Sequence, residues 1–186
     1  MGRIAVHEFI TLDGVMDNPS WASDYSFDPG MGDAIAAIMS SSKAILLGRR
    51  TYDEFAPSWS TRTVEDDPGA PFMNDTPKYV VSASLKAADW GPSTILPYAP
   101  DAIEKLKNQI DGNIYVSGSG TLVRAMLADS LVDDMHLFMY PLALGSGQRL
   151  FTEGARPANF ALARSVAYDN GVVYLAYART ESASAA

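Results

Sequence analysis

Two glycine-marked turns carry residue types that chemistry would need. The first is Lys43-Ala44-Ile45-Leu46-Leu47-Gly48-Arg49-Arg50-Thr51, and the second is Asn113-Ile114-Tyr115-Val116-Ser117-Gly118-Ser119-Gly120-Thr121. Each reads as a short apolar strand, a glycine, then a hydroxyl residue opening a helix. A helix start offers backbone N–H groups without intrahelical partners, and the helix dipole adds to their attraction for phosphate. Arg49 and Arg50 add planar forks suited to a terminal phosphate monoester. Two such seats point to a ligand with more than one phosphate, a phosphorylated dinucleotide being the simplest. Each also admits a plainer reading: a turn with solvated arginines, and a tight turn whose sterics select glycine. The ordinary dinucleotide fingerprint is not met, because the third glycine is missing and no acidic residue follows at a strand end about 20 residues on.

Further candidates lie in the first strand and just beyond it. His7 and Glu8 fall mid-strand, where at least one must face a buried layer. A buried ionisable group beside a site is a proton-donor candidate, and a satisfied polar residue near a sheet end is the alternative. Thr11-Leu12-Asp13-Gly14 ends that strand. Asp13 is placed to hydrogen-bond an amide-bearing ring, to join His7 and Glu8 as a proton-donor candidate, or to close an Asx turn, with Gly14 at positive φ. Trp21, Tyr25 and Phe27 cluster in the following loop, as walls for a planar heterocycle or as cover for the edge of the core. Leu144-Gly145-Ser146-Gly147 reads as a loop with a bulge. No G-x-S-x-G nucleophile elbow occurs.

Composition narrows the classes. The chain has 186 residues, enough for one domain with a sizeable core, read as residues 1–180 with a frayed tail at 181–186. Net charge is −8, and no basic face of the kind that binds nucleic acid is visible. Against that background the Arg49–Arg50 pair points to a small anionic ligand. There is no cysteine, and the two histidines, His7 and His136, are far apart, so no metal site is expected. No apolar run reaches membrane-spanning length, and no signal-peptide pattern precedes Arg3-Ile4-Ala5-Val6. These features agree with a cytoplasmic location.

The elements that must hold these residues follow from periodicity. Strands are predicted at 3–10, 44–47, 79–81, 94–96, 113–117 and 134–140. Helices are predicted near 30–40, near 50–55 with Pro57 as terminator, from Asp101 with Glu104 in capping-box spacing, and over 121–128. Residues 57–76 read as a long surface loop. Asp169-Asn170-Gly171 between 160–168 and 172–178 signals a hairpin. The alternation implies an α/β fold with a mixed sheet, parallel crossovers first and an antiparallel edge last.

Taken in order, several segments resemble dihydrofolate reductases: Thr-Leu-Asp-Gly-Val-Met at 11–16, Leu-Leu-Gly-Arg-Arg-Thr-Tyr at 46–52, Val-Val-Ser at 80–82 and Val-Ser-Gly-Ser-Gly-Thr-Leu at 116–122. Asp129-Ser130-Leu131-Val132-Asp133-Asp134, with Pro141-Leu142-Ala143-Leu144-Gly145-Ser146-Gly147 and Leu150-Phe151, is similar to the C-terminal reductase domain of the bifunctional deaminase–reductase of riboflavin biosynthesis and its stand-alone relatives. The likeness spans residues 3–178. It implies a dihydrofolate-reductase-like three-layer α/β/α sandwich with a mostly parallel central sheet, an NADPH cofactor, reduction of a small heterocycle and a homodimer. It also implies roles: Gly48, Arg49, Arg50 and Thr51 beside the adenosine ribose and phosphates, Ser82 near the 2′-phosphate, Ser117, Gly118, Ser119, Gly120 and Thr121 at the pyrophosphate, and Thr11, Leu12 and Asp13 where the first strand meets the nicotinamide. The chain departs from the family in three ways. It has no zinc deaminase region, no clear folate carboxylate (Asp28 and Asp33 lie near the helix start), and Asp53-Glu54-Phe55-Ala56-Pro57-Ser58-Trp59 where the riboflavin enzyme carries Asp-Asn-Pro. A ligand-binding relative without turnover is the alternative.

Overall fold

The computed structural model describes residues 1–180; the tail at 181–186 lies outside them. Eight strands form one sheet: β1 (Arg3–Thr11), β2 (Ser42–Gly48), β3 (Lys78–Val81), β4 (Ser93–Leu96), β5 (Asn113–Ser117), β6 (Asp134–Tyr140), β7 (Phe160–Ala167) and β8 (Val173–Arg179). Their order is β4-β3-β2-β5-β1-β6-β8-β7. The first six are mutually parallel, and β8 runs antiparallel to both β6 and β7. Five helices cover the sheet: α1 (Pro29–Ser40), α2 (Arg49–Trp59), α3 (Ala70–Asp75), α4 (Pro100–Gln109) and α5 (Gly120–Ala128).

Period-2 alternation along β1 sorts two cores. Ile4, Val6 and Ile10 pack with Ile103 and Leu106 of α4 and Leu122, Val123 and Met126 of α5. On the other face, Phe9 and Phe138 pack with Met31 and Ile38 of α1, Tyr52 of α2 and Met73 of α3. Both faces of the parallel strands are therefore buried, as crossover helices require. Parity places Glu8 on the α4/α5 face and His7 on the α1/α3 face. Both side chains are buried, where the sequence required only one to be.

Three local expectations are corrected. Helix α2 runs through Pro57 to Trp59. In the last turn the missing N–H forfeits a single bond, and Ser60 still closes the helix on the Ala56 carbonyl. The stretch expected as loop at 57–76 therefore begins in α2 and ends in α3. Helix α4 starts at Pro100 after Ala99, with no side-chain cap, so Asp101 sits in its first turn rather than in a capping box. Proline at that position presets φ and lacks an N–H that would be unpaired anyway.

Candidate functional site

Parallel strands bring their carboxyl ends to one edge, and this is where the two glycine turns meet. The β1–β5 ladder stops at His7 opposite Ser117, while β1 continues to Thr11 paired only with β6. Beyond that point β5 turns away through Gly118 (φ +64°) and Ser119 (φ +60°) into α5. A cleft of about 1500 Å³ opens in the gap. Such a crevice at a topological switch point is the usual ligand seat of open α/β sheets.

The two turns are bonded to each other. The Gly48 amide donates to the Ser119 hydroxyl at 2.9 Å, and the Ser119 amide donates to the Thr51 hydroxyl at 2.9 Å. The Gly118 amide is taken by a Glu8 carboxyl oxygen at 3.1 Å. The protein thus consumes the amides of Gly48, Gly118 and Ser119. Helices α2 and α5 carry no side-chain cap at their starts, so their first-turn amides face the cleft with the dipole behind them. Arg49, Arg50, Thr51 and Ser117 to Thr121 all line it.

Arg49 pairs with Asp53 at 2.7 Å and reaches the Ser84 hydroxyl at 3.3 Å, while Arg50 pairs with Glu54 at 3.1 Å. Ser82 does not face the cleft: its hydroxyl accepts the amides of Ser84 and Leu85 and shapes the loop after β3. Ser84, unnoticed in the sequence, is the hydroxyl that meets Arg49. The only signal was a second serine two residues after the strand end.

The floor is polar and incompletely satisfied. Among the described residues three buried side-chain atoms lack a partner: His7 Nε2, Glu8 Oε1 and Trp21 Nε1. The first two residues line the cleft. His7 Nδ1 bonds the Tyr115 hydroxyl at 2.6 Å, and the ring lies edge-on to Phe9 and Phe138. Burial pushes the His7 imidazole down to about 3, so it is neutral. Burial drives the Glu8 carboxyl well above its ordinary value, against the opposing pull of the Gly118 amide. Burial thus favours its neutral, protonated form.

Three other expectations change. Asp13 cannot supply a proton. Its carboxylate accepts from the Thr11 hydroxyl at 2.6 Å and from the Leu144 and Gly145 amides at 3.1 and 2.8 Å, and it pairs with Arg149 at 3.4 Å. The Thr11 hydroxyl, then the Gly145 amide, hold it far below the usual carboxylate range. It clamps the Gly145 loop onto the end of β1. Thr11 serves the same turn, accepting the Val15 amide at 3.0 Å, and Leu12 is exposed. The expected aromatic wall also separates: Trp21 and Tyr25 stand edge-on to Tyr140 at 5.1 and 5.3 Å between centroids, and only Phe27 lines the cleft. The apolar wall is instead built by α1, α2 and α3.

The doubly covered parallel sheet with an antiparallel closing hairpin is the dihydrofolate-reductase-like fold. The chain belongs to the RibD C-terminal domain family, whose model matches residues 3–174, and this is a reductase-like family. It is 25% identical over 179 residues to the uncharacterized protein YyaP of Bacillus subtilis, with 94% of each chain covered. Among solved structures it is similar to a putative riboflavin biosynthesis protein from Shewanella sp. PV-4, with a TM-score of 0.78, 20% identity, and 96% and 99% of the two chains covered. It is also similar to a dihydrofolate reductase from Enterococcus faecalis, solved in complex with NADP(H), with a TM-score of 0.64, 13% identity, and 97% and 98% covered. Among the described residues no helix is long and apolar enough to cross a membrane.

Proposed function

We propose that the protein is an NADPH-dependent reductase acting on a C=N or C=O bond of a small heterocyclic molecule. The observation that carries this reading is the convergence of two uncapped helix starts, α2 with its arginines and α5, on a single cleft. The donor set fits a phosphorylated dinucleotide: amides and hydroxyls at the α5 start suit a pyrophosphate, and Arg49 with Ser84 suits a phosphate monoester. His7 and Glu8, each with an unpartnered buried polar atom, line the cleft where the first strand has parted from β5.

NADPH would supply a hydride, leaving a proton to be delivered to the substrate heteroatom. Glu8 is the proton source in this reading. The Gly118 amide holds one carboxyl oxygen, burial favours the protonated acid, and the residue lines the cleft. His7, neutral and steered by Tyr115, orients rather than ionises.

Titration with NADPH and NADH, followed by quenching of tryptophan fluorescence, tests the proposal. Micromolar binding of NADPH, tighter than NADH, is expected. Failure of NADPH to bind, or equal binding of NADH, overturns it. Binding without oxidation across pterins, aminopyrimidines and carbonyl compounds would mark a non-catalytic relative instead. A homodimer is part of the same reading, by analogy with the family, and a monomer mass in light scattering would remove it.

A further inference from the structure

The cleft has two unlike halves. One is the polar groove along Gly48–Thr51 and Ser117–Thr121. The other runs between α1, α2 and α3, and is walled by Ile35, Met39, Phe55, Trp59, Phe72 and Tyr115. Phe72 stands edge-on to Tyr115 at 5.5 Å between centroids, which extends the aromatic surface down to the sheet.

Charge is distributed as unevenly as polarity. The only cationic side chains lining the cleft are Arg49 and Arg50, at the start of α2, and each is already bonded to a carboxylate four residues on. Arg62 lies over the Trp59 ring at 4.7 Å and is not among the lining residues. The charged residues reaching the second half are carboxylates, Glu54 and Asp67. A phosphate or carboxylate on the substrate would find no counter-ion there and would be desolvated without compensation. Glu54 is bonded to Arg50, and Asp67 accepts the Gly69 amide at 2.7 Å, so neither stands bare to recruit a cation. On the sheet side His7 lines the cleft, with its unpartnered Nε2 buried beneath the surface, as is Trp21 Nε1 on the same face.

Building on the reading of the polar groove as the cofactor seat, we propose that the substrate is neutral, flat and largely apolar. It carries one carbonyl or imine acceptor and neither a phosphate nor a carboxylate. The balanced reaction adds a hydride from the cofactor to the carbon and a proton to the heteroatom, consuming one NADPH and one proton for each C=O or C=N bond saturated.

A matched set of probes tests this without turnover: 2-naphthamide, 2-naphthoate, 2-naphthyl phosphate, 2-naphthylmethylamine and naphthalene, each titrated calorimetrically into the full chain with and without NADP⁺. The amide should bind at least about tenfold tighter than either anion or the amine. Ala36→Arg, on the exposed side of α1 at the lip of this half, should shift preference toward 2-naphthoate without disturbing the core. Equal or tighter binding of an anion or of the amine to the wild-type protein overturns the proposal, as does failure of the amide to bind. If the amide is preferred but NADPH does not bind, the cofactor reading falls and the substrate class stands. The reverse pattern sinks the substrate class alone.

Discussion

The Ser119 amide donates to the Thr51 hydroxyl at 2.9 Å, so the start of α5 is bonded to the first turn of α2 across 68 residues of sequence. The Gly48 amide returns the link to the Ser119 hydroxyl. Two turns that look independent in sequence are one rigid unit, which fixes the spacing of the two helix starts before any ligand arrives. Preorganised donors of this kind avoid paying the ordering cost at the moment of binding.

Thr51→Val tests that unit. Valine keeps the shape, but it leaves the part-buried Ser119 amide without its acceptor. Stability should fall by about 1–2 kcal/mol in urea denaturation, and NADPH affinity should fall with it. Thr51→Ser should restore both. If the valine variant binds NADPH as the wild type does, the link is not part of the site.

Gly118 and Gly48 should respond differently to alanine, although the sequence treats them alike. Gly118 has φ +64°, and an added Cβ would lie 3.2 Å from the Thr51 methyl. Gly118→Ala should lose about 1–2 kcal/mol from the left-handed backbone alone. Gly48 is extended, with φ −75°, and an added Cβ would meet its nearest atoms at 3.6 Å. Gly48→Ala should change stability by less than about 0.5 kcal/mol. Thermal unfolding of the two variants side by side checks the difference.

Arg49 should carry the choice between NADPH and NADH. Its guanidinium is oriented by Asp53 and reaches Ser84 at the end of β3, so it is set to grip a monoester as a fork. Arg49→Ala should weaken NADPH about tenfold and leave NADH nearly unchanged. Arg50→Ala should do less, because its side chain is the more exposed of the two. Equal losses for both nucleotides would place Arg49 at a phosphate that the two share.

Much of this was legible in the chain. The strands, the crossover order and the Asn170-Gly171 hairpin follow from periodicity and turn chemistry, which are local. Side-chain destinations are not local. Asp13 reads as a free carboxylate because the Leu144 and Gly145 amides that bind it lie about 130 residues away. Trp21 and Tyr25 look like pocket walls until Tyr140 supplies a surface for them. The true apolar wall was hidden because its members come from three helices, and α3 lies in a stretch whose prolines and acidic residues read as loop. His7 and Glu8 stood out as polar residues in a strand. Only the helices on both faces show that both are buried, on opposite sides.

Burial of one acid and one base gives the two groups opposite effects on stability with pH. Burial raises the folded pKa of Glu8 above its ordinary value of 4.5, so the unfolded chain releases this proton first. Its contribution is fully present below pH 4.5 and is lost as pH rises toward the folded pKa. Burial lowers His7 from 6.5 to about 3, so the unfolded chain takes up this proton first. Its contribution is present above pH 6.5 and is lost as pH falls toward 3. His136 is lowered in the same direction and adds to that limb. Each group bends the profile by at most about 1.4 kcal/mol per pH unit. Glu8→Gln keeps an acceptor for the Gly118 amide and cannot ionise. It should flatten the decline above pH 4.5 while reducing turnover about 10²–10⁴-fold through loss of the proton source. His7→Phe should flatten the acid limb and leave the decline due to Glu8 intact. Urea midpoints across the pH range, measured on both variants and the wild type, separate the two. A Glu8→Gln profile identical to the wild type would mean that the carboxyl is ionised in the folded protein, and the proposed acid would be lost with it.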